Sequence, residues 1–242
     1  MRVRGTGRAA VAAVVAGVIG LAAVGCSSGS GSGDAADAAL TVAAADHADV
    51  LSKLPAAVDG TKIVVGKKDA PHVVTVFVDP RCSYCAKFEG GSGTVLAEQA
   101  GQGKIKVEYV IASFLDGKTG GDASARAASA MRAAVDAGTG KFAAYQAAVF
   151  ASQPEGESKD GFSTDHLLKI ADTVPGLRGE AFDKAVRDNT YKTFAEGAEK
   201  TFQESGVGGT PTVLVDGKAL TAGSGLYDAK QFSQALRDAG VA

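Results

Sequence analysis

Apolar runs and alternating patterns along the chain predict a mixed α/β fold with a long helical stretch between its strands. Val73–Val78 is almost wholly apolar and β-branched, which indicates a central strand covered on both faces. Ile63–Val65 is a shorter run of the same kind and is predicted as an edge strand. Residues 105–111 alternate apolar and polar side chains, as a half-buried strand does.

The second half of the chain is predicted to be helical first and then to close with a hairpin and a helix. Apolar residues recur at helical spacing between residues 123 and 203. Asp216-Gly217 lies between Thr212–Val215 and Lys218–Leu220, which predicts a β-hairpin with a type I′ turn. Tyr227–Ala239 is predicted as the closing helix.

One further helix is predicted directly after the central strand. Asp79-Pro80 ends that strand, and the helix is expected to begin near Cys82. Gly90–Gly93 should interrupt or kink it, because each interior glycine costs about 1 kcal/mol relative to alanine.

The N-terminus has the layout of a secretory signal peptide. Met1–Arg8 is basic and Ala9–Val24 is apolar, but this run falls short of the roughly 20 residues that span a bilayer. Ala23-Val24-Gly25-Cys26 resembles a bacterial lipobox, with Ala23 where leucine is usual. The resemblance implies cleavage before Cys26 and diacylation of its thiol. The alternative is ordinary secretion with Cys26 left as a stray thiol.

These features divide the chain into a signal peptide at residues 1–25, a Gly/Ser/Ala-rich tether at 26–58 and a single domain at 59–242. Ser27–Asp34 is composed mainly of glycine and serine, which is typical of a flexible linker. Ala35–Ala57 is rich in alanine and aspartate, and either stays loose or forms a short helix packed on the domain. The formal net charge is −2 with both signs dispersed, so no basic block indicates nucleic-acid binding.

The candidate chemistry lies in Cys82-Ser83-Tyr84-Cys85. Two cysteines at this spacing near a helix start favour a redox-active dithiol. A zinc site would need two further ligands, and the three histidines show no ligand spacing. A structural disulfide would close too small a loop to stabilise much. We therefore expect no metal and no cofactor other than the disulfide itself.

Two motifs, placed either side of the helical stretch, resemble those of the DsbA-like thioredoxin-fold oxidoreductases. One runs from Phe77 to Cys85, as Phe-Val-Asp-Pro-Arg-Cys-Ser-Tyr-Cys, and the other from Gly206 to Thr212, as Gly-Val-Gly-Gly-Thr-Pro-Thr. The resemblance covers residues 60–240. It implies an α/β thioredoxin fold with a helical insertion at about residues 112–204.

The positions of these motifs suggest the roles of their residues. Cys82 is expected to be the exposed nucleophile, because backbone N–H groups at a helix start favour its thiolate. Cys85 would be more buried and would resolve the mixed disulfide. The resemblance implies that Pro211 is cis and faces the dithiol, leaving Thr210 to pair with an extended client chain. The alternative for Thr210-Pro211 is a simple trans turn.

Arg81 and Tyr84 are candidates for tuning the site. Arg81 would favour the thiolate if its side chain lies near the sulfur, and is otherwise a solvated surface charge. Tyr84 either lines the client surface or packs on its own helix.

One position departs from the pattern of many thioredoxin-fold enzymes, which carry a buried acid six residues before the first cysteine. Here that residue is Val76. Proton transfer at Cys85 would then use water or another group, with Asp79 and Glu89 as candidates. Lys87 and Glu89 are otherwise expected to be solvated helix charges.

Three functions remain open. The first is an extracytoplasmic disulfide oxidase, lipid-anchored to the outer face of the cell membrane, acting on unfolded secreted proteins. A DsbB- or VKOR-type membrane enzyme would regenerate it, and a monomer is expected. The second is a reductase or isomerase in the same compartment, since Asp79-Pro80 and Thr210 look locally like DsbC and DsbG domains. The third is a non-catalytic binding lipoprotein.

Overall fold

The structure is a computed structural model that describes residues 41–154 and 161–241. The predicted signal peptide, the lipidation site Cys26 and the Gly/Ser-rich start of the tether lie outside the described residues. Among the helices that are described, none is long and apolar enough to cross a membrane.

A single mixed sheet contains the strands of the described part of the chain. They are β1 (Ala56–Asp59), β2 (Lys62–Gly66), β3 (His72–Val78), β4 (Ile105–Ile111), β5 (Thr212–Val215) and β6 (Lys218–Ala219). The order is β1-β2-β4-β3-β5-β6. β3 and β4 are parallel, and all other neighbours are antiparallel.

The predicted strands are confirmed, but the predicted edge position of β2 is wrong. β1 pairs with the outer side of β2, with Ala56 opposite Val65. β1 is short, mostly exposed and poor in residues that favour strands, so its sequence carries little signal.

The folded part of the chain also begins earlier than the predicted boundary at residue 59. A short helix α1 (Ala48–Leu51) precedes β1, and both Leu51 and Leu54 are buried in the core. Burying each leucine favours packing by about 1.5–3 kcal/mol. The Ser152 hydroxyl also accepts a hydrogen bond from the Ala43 backbone N–H at 2.8 Å. The tether therefore does not extend to residue 58.

The register of the sheet brings the segments around the site together. Residues 74–78 of β3 are buried, as predicted for a central strand. Val78 lies opposite Ile111 at the carboxyl ends of the parallel strands β3 and β4. β5 runs antiparallel to β3, with Thr212 opposite Phe77. Three segments therefore meet at the same end of these strands: the segment after β3, the segment after β4 and the segment before β5.

The helices of the described residues include a block that confirms the predicted insertion. α2 (Ser83–Phe88), a π-helical turn (Glu89–Gly93) and α3 (Thr94–Gly101) connect β3 to β4. Six helices then lie between β4 and β5 in the described part of the chain: α4 (Phe114–Thr119), α5 (Ala123–Asp136), α6 (Lys141–Ala151), α7 (Thr164–Ala171), α8 (Glu180–Arg187) and α9 (Lys192–Glu204).

The C-terminal elements follow the prediction with one adjustment. Asp216 and Gly217 both have positive φ, at 48° and 79°, as a type I′ hairpin turn requires. The closing helix α10 spans Ala229–Asp238, and Gly223–Tyr227 forms a separate 3₁₀ turn. Tyr227 therefore lies in that turn rather than at the start of the closing helix.

The glycine-rich segment after α2 interrupts the helix as predicted, by forming the π-helical turn. An added Cβ at Gly91 would lie 2.1 Å from the Tyr227 carbonyl oxygen. The Ser92 hydroxyl donates to the Leu226 carbonyl oxygen at 2.8 Å. Gly91 thus permits the close approach of the 3₁₀ turn, which carries Tyr227.

Gly91→Ala is expected to lower the free energy of unfolding by about 1–3 kcal/mol, because the new methyl group meets backbone atoms that cannot move independently. Gly90→Ala is the matched control, since a Cβ there meets nothing within 4 Å. It should leave stability unchanged or raise it by up to about 1 kcal/mol. Urea unfolding of both variants measures this, and equal stabilities would contradict the close approach.

Candidate active site

A tight turn delivers Cys82 to the start of α2. The Cys82 N–H donates to the Asp79 carbonyl oxygen at 3.0 Å. The Arg81 N–H donates to the Asp79 Oδ1 at 2.9 Å. Cys82 is the N-cap residue of α2, and Cys85 lies within its first turn. The predicted helix start near Cys82 is confirmed.

The Thr210-Pro211 segment lies against this turn. Its peptide bond is cis, as the resemblance implied. The Cys82 Sγ donates to the Thr210 carbonyl oxygen at 3.4 Å. Residues far apart in the sequence therefore meet, because β5, which begins just after Pro211, pairs with the end of β3.

Cys82 is less accessible than the sequence predicts. Cys82 is 6% exposed and Cys85 is 0% exposed. Cys85 is the more buried of the two, as expected. The expected exposure of Cys82 is wrong, because the Thr210 segment packs against its sulfur.

The two thiols have opposite pKa shifts. The pKa of Cys82 is lowered to about 6, chiefly by a hydrogen bond from the Cys85 thiol. The Thr210 side chain and the Cys85 and Tyr84 backbones lower it further. Together these effects outweigh burial, which acts to raise the pKa. Burial and the adjacent Cys82 raise the pKa of Cys85 well above its ordinary value. At neutral pH the reduced site thus holds a thiolate on Cys82 and a thiol on Cys85.

The Thr210 hydroxyl is placed to respond to this charge. Its Oγ1 is buried, without a hydrogen-bond partner among the described residues. It nevertheless helps to lower the pKa of Cys82. A hydroxyl can rotate its hydrogen toward an acceptor. We infer that the Cys82 thiolate, rather than the neutral thiol, is the acceptor that this hydroxyl fits.

Arg81 is a buried side chain whose guanidinium is held by the helical insertion. The residue is 2% exposed, so the reading as a solvated charge is wrong. Its Nη1 donates to the Asp116 carboxylate at 2.9 Å and to the Gly120 carbonyl oxygen at 3.0 Å. The guanidinium therefore joins the turn before Cys82 to the helical insertion.

Tyr84 forms an accessible aromatic surface beside the dithiol, together with a residue that sequence reasoning did not identify. Tyr84 is 55% exposed, and its ring centroid lies 6.0 Å from that of Tyr227. Burial and the charge on Cys82 raise the pKa of Tyr227. No motif marks Tyr227, because the packing against Gly91 is what brings it there.

Asp79 and Glu89, the two candidate proton carriers, both have raised pKa values. Val76 is buried, and as a valine it supplies no acid. Asp79 is also buried, and burial raises its pKa to about 7. Glu89 is not a solvated charge: it is half-buried beside Gln146, and burial raises its pKa to about 8. Lys87 is exposed, as expected.

Glu89→Gln is expected to make the oxidised protein more stable near pH 8 and to leave it unchanged near pH 4.5. Between these pH values the native state holds a proton on Glu89 that the unfolded chain has released, so native stability falls as pH rises. The glutamine should recover about 1–3 kcal/mol of unfolding free energy near pH 8. Urea unfolding at both pH values measures the effect.

Glu98→Gln on α3 is the matched control for this experiment, because Glu98 is exposed. It should change stability at neither pH. Equal stability of Glu89→Gln and the unmodified protein near pH 8 would show that the Glu89 carboxyl is solvated.

Comparisons with known proteins agree with this architecture. A profile of the family described as Thioredoxin matches residues 58–238. No curated protein matches the chain. The MdbA thiol-disulfide oxidoreductase of Corynebacterium diphtheriae has a similar structure, with a TM-score of 0.62 and 21% identity over 78% of this chain and 98% of that chain.

Two further solved structures are similar. BdbD from Bacillus subtilis has a TM-score of 0.60 and 20% identity, over 77% of this chain and 97% of that chain. The disulfide bond oxidoreductase DsbG from Mycobacterium tuberculosis has a TM-score of 0.57 and 22% identity, over 76% and 89%. These likenesses concern the fold. Because the profile spans most of the sequence, the chain belongs to the thioredoxin family and has a DsbA-like thioredoxin fold with a helical insertion.

Proposed function

We propose that this protein is an extracytoplasmic thiol–disulfide oxidase that transfers the Cys82–Cys85 disulfide to secreted proteins. The observation that carries the proposal is the position of Cys82 at the N-cap of α2, with its Sγ 3.4 Å from the carbonyl oxygen of Thr210 in the cis Thr210-Pro211 segment. The opposed pKa shifts of Cys82 and Cys85 support it. A stabilised thiolate on Cys82 favours the reduced protein. Its disulfide is correspondingly more oxidising, by about 30 mV for each tenfold change in the exchange equilibrium.

The transfer proceeds by two exchanges at sulfur. A client thiolate attacks the Cys82 Sγ, and the bond to Cys85 breaks. The client sulfur is then bonded to Cys82, and Cys85 leaves as a thiolate that takes up a proton, as its raised pKa favours. A second client thiolate attacks the client sulfur and releases Cys82 as a thiolate. The client loses two electrons and gains a disulfide, while the protein gains them as its dithiol.

Client recognition is proposed to combine backbone pairing with aromatic contact. The Thr210 carbonyl oxygen accepts from the Cys82 thiol in the structure. Once Cys82 is a thiolate or is bonded to a client, this carbonyl can accept an N–H from an extended client chain. Tyr84 and Tyr227 lie beside the sulfur and suit the apolar side chains that unfolded proteins expose.

The cellular setting follows from the N-terminal sequence. The lipobox resemblance at Ala23–Cys26 supports a lipid anchor on Cys26 and a site on the outer face of the cell membrane. Acyl chains acting together hold a protein firmly at a bilayer. Regeneration of the disulfide then requires a membrane partner that accepts two electrons, of the quinone-coupled DsbB or VKOR type.

Cys26→Ser is expected to move the protein from the membrane fraction to the soluble extracytoplasmic fraction, because it removes the thiol that would carry the lipid. Cell fractionation followed by mass spectrometry of the N-terminal peptide measures this. An unmodified Cys26 in the unsubstituted protein would contradict the anchor and leave the oxidase proposal untouched.

The oxidised protein is mixed with a reduced, unfolded client protein that has two cysteines. We expect the client to gain one disulfide for each Cys82–Cys85 disulfide that is reduced, because the thiolate product on Cys82 is stable. Thiol alkylation and mass spectrometry count the disulfides. Cys82→Ser should abolish transfer. Cys26→Ser is the matched control, since it removes the remaining cysteine and should leave transfer unchanged.

Failure of the oxidised protein to form a client disulfide would contradict the oxidase proposal. If the oxidised protein leaves the client reduced while the reduced protein opens client disulfides, the reductase or isomerase function replaces the proposal. If neither form exchanges with the client, the non-catalytic binding function does.

A further inference from the structure

The carboxylate of Asp79 lies behind the turn that carries Cys82. Its side chain is buried, and its Oδ1 accepts from the Arg81 N–H at 2.9 Å. Its own carbonyl oxygen accepts from the Cys82 N–H at 3.0 Å. Asp79 therefore closes the turn twice, through its backbone and through its side chain, in the manner of an Asx turn.

The helical insertion supplies the other donors to this carboxylate. The Ser124 hydroxyl, in α5, donates to the Asp79 Oδ1 at 2.6 Å. The Leu115 N–H, near the start of α4, donates to the Asp79 Oδ2 at 3.1 Å. Both carboxylate oxygens are thus occupied by donors from the insertion. The side chain of Asp79 therefore connects the Cys82 turn to the insertion.

Arg81 makes a second connection between the same parts. Its Nη1 donates to the Asp116 Oδ1 at 2.9 Å, and both residues are largely buried. Asp116 also accepts from the Ser124 and Ala125 backbone N–H groups, each at 2.9 Å, at the start of α5. A buried ion pair with this many hydrogen bonds is costly to break from one side, because the remaining charge is left without its partner.

Pro80, which lies between Asp79 and Arg81, is also hydrogen-bonded to the insertion. The Gln153 side-chain amide, just after α6, donates to the Pro80 carbonyl oxygen at 2.7 Å. Asp79, Pro80 and Arg81 therefore each receive or make a hydrogen bond to the insertion. The turn that precedes Cys82 is fixed by the inserted helices along its whole length.

The position of this turn matters for the chemistry of Cys82. The groups that lower the pKa of its thiol belong to α2 and to the segment before β5, and include the Cys85 thiol, the Thr210 side chain and the Tyr84 backbone. Hydrogen bonds to a charged acceptor depend steeply on distance and angle. A small displacement of Cys82 relative to these donors would therefore weaken the thiolate.

We propose that Asp79, Arg81, Asp116 and Ser124, here called the insertion joint, are positioning residues through which the helical insertion sets the redox potential of the Cys82–Cys85 pair. The inference rests on the proposed exchange chemistry at Cys82. It concerns how the potential is set, and it holds for an oxidase or a reductase alike.

The test uses Ser124→Ala and Arg81→Met in the full chain carrying Cys26→Ser, so that the active-site pair is the only pair of thiols. The equilibrium constant with glutathione and the unfolding free energies of the oxidised and reduced forms are measured. Each joint variant should change the equilibrium constant with glutathione roughly tenfold, so that the protein becomes more reducing. This corresponds to a reduction potential lower by about 30 mV. Each should also destabilise the reduced form more than the oxidised form, because the thiolate exists only in the former.

Arg178→Met is the matched control. Arg178 pairs with Asp172 and Asp183 in the insertion, outside the joint. Its loss should lower the stability of both redox forms equally and leave the glutathione equilibrium unchanged. Arg81→Lys, which keeps the charge but not the forked geometry, should fall between Arg81→Met and the unmodified protein.

The outcomes separate this inference from the proposed function. Joint variants that fold and keep the unmodified equilibrium constant, or that destabilise both redox forms equally, would overturn it. Ser124→Ala removes a single hydroxyl, so it gives a reading even if Arg81→Met does not fold. The equilibrium constant of the unmodified protein tests the oxidase proposal, whereas the differences between variants test the joint.

Discussion

Cys82 must hold a negative charge where only 6% of its surface remains exposed, and most other features of the site follow from this constraint. Burial alone would favour the neutral thiol. The charge is stabilised by the Cys85 thiol, by the Thr210 side chain and by the backbones of Tyr84 and Cys85 in α2. The same arrangement keeps Cys85 protonated, so the two cysteines are suited to different steps of one exchange.

The sheet brings the groups around Cys82 close together, and contacts with the helices then fix their exact positions. Parallel pairing of β3 with β4 and antiparallel pairing of β3 with β5 bring the Cys82 turn, the start of the insertion and Thr210 to one edge. The insertion joint then fixes the turn itself, through Asp79 and Arg81. The insertion thus holds the turn that carries Cys82, which is a physical reason for a thioredoxin fold to carry it.

Features encoded by short stretches of sequence could be predicted, whereas those produced by tertiary packing could not. The β-branched run of β3, the cysteine spacing and the Thr-Pro step each carry their own signal, so the fold and the meeting of Cys82 with Thr210 were foreseeable. The burial of Arg81 depends on Asp116, which lies in a distant helix. The position of Tyr227 depends on its close approach to Gly91, and β1 is a strand only because β2 pairs with it.

The reduction potential of the Cys82–Cys85 pair, equilibrated with glutathione buffers and read by mass spectrometry, tests the central claim most directly. The oxidase proposal predicts a value above those of glutaredoxins, toward about −120 mV. A value near about −230 to −270 mV would contradict the account, because so weakly oxidising a disulfide would favour reduction of client proteins.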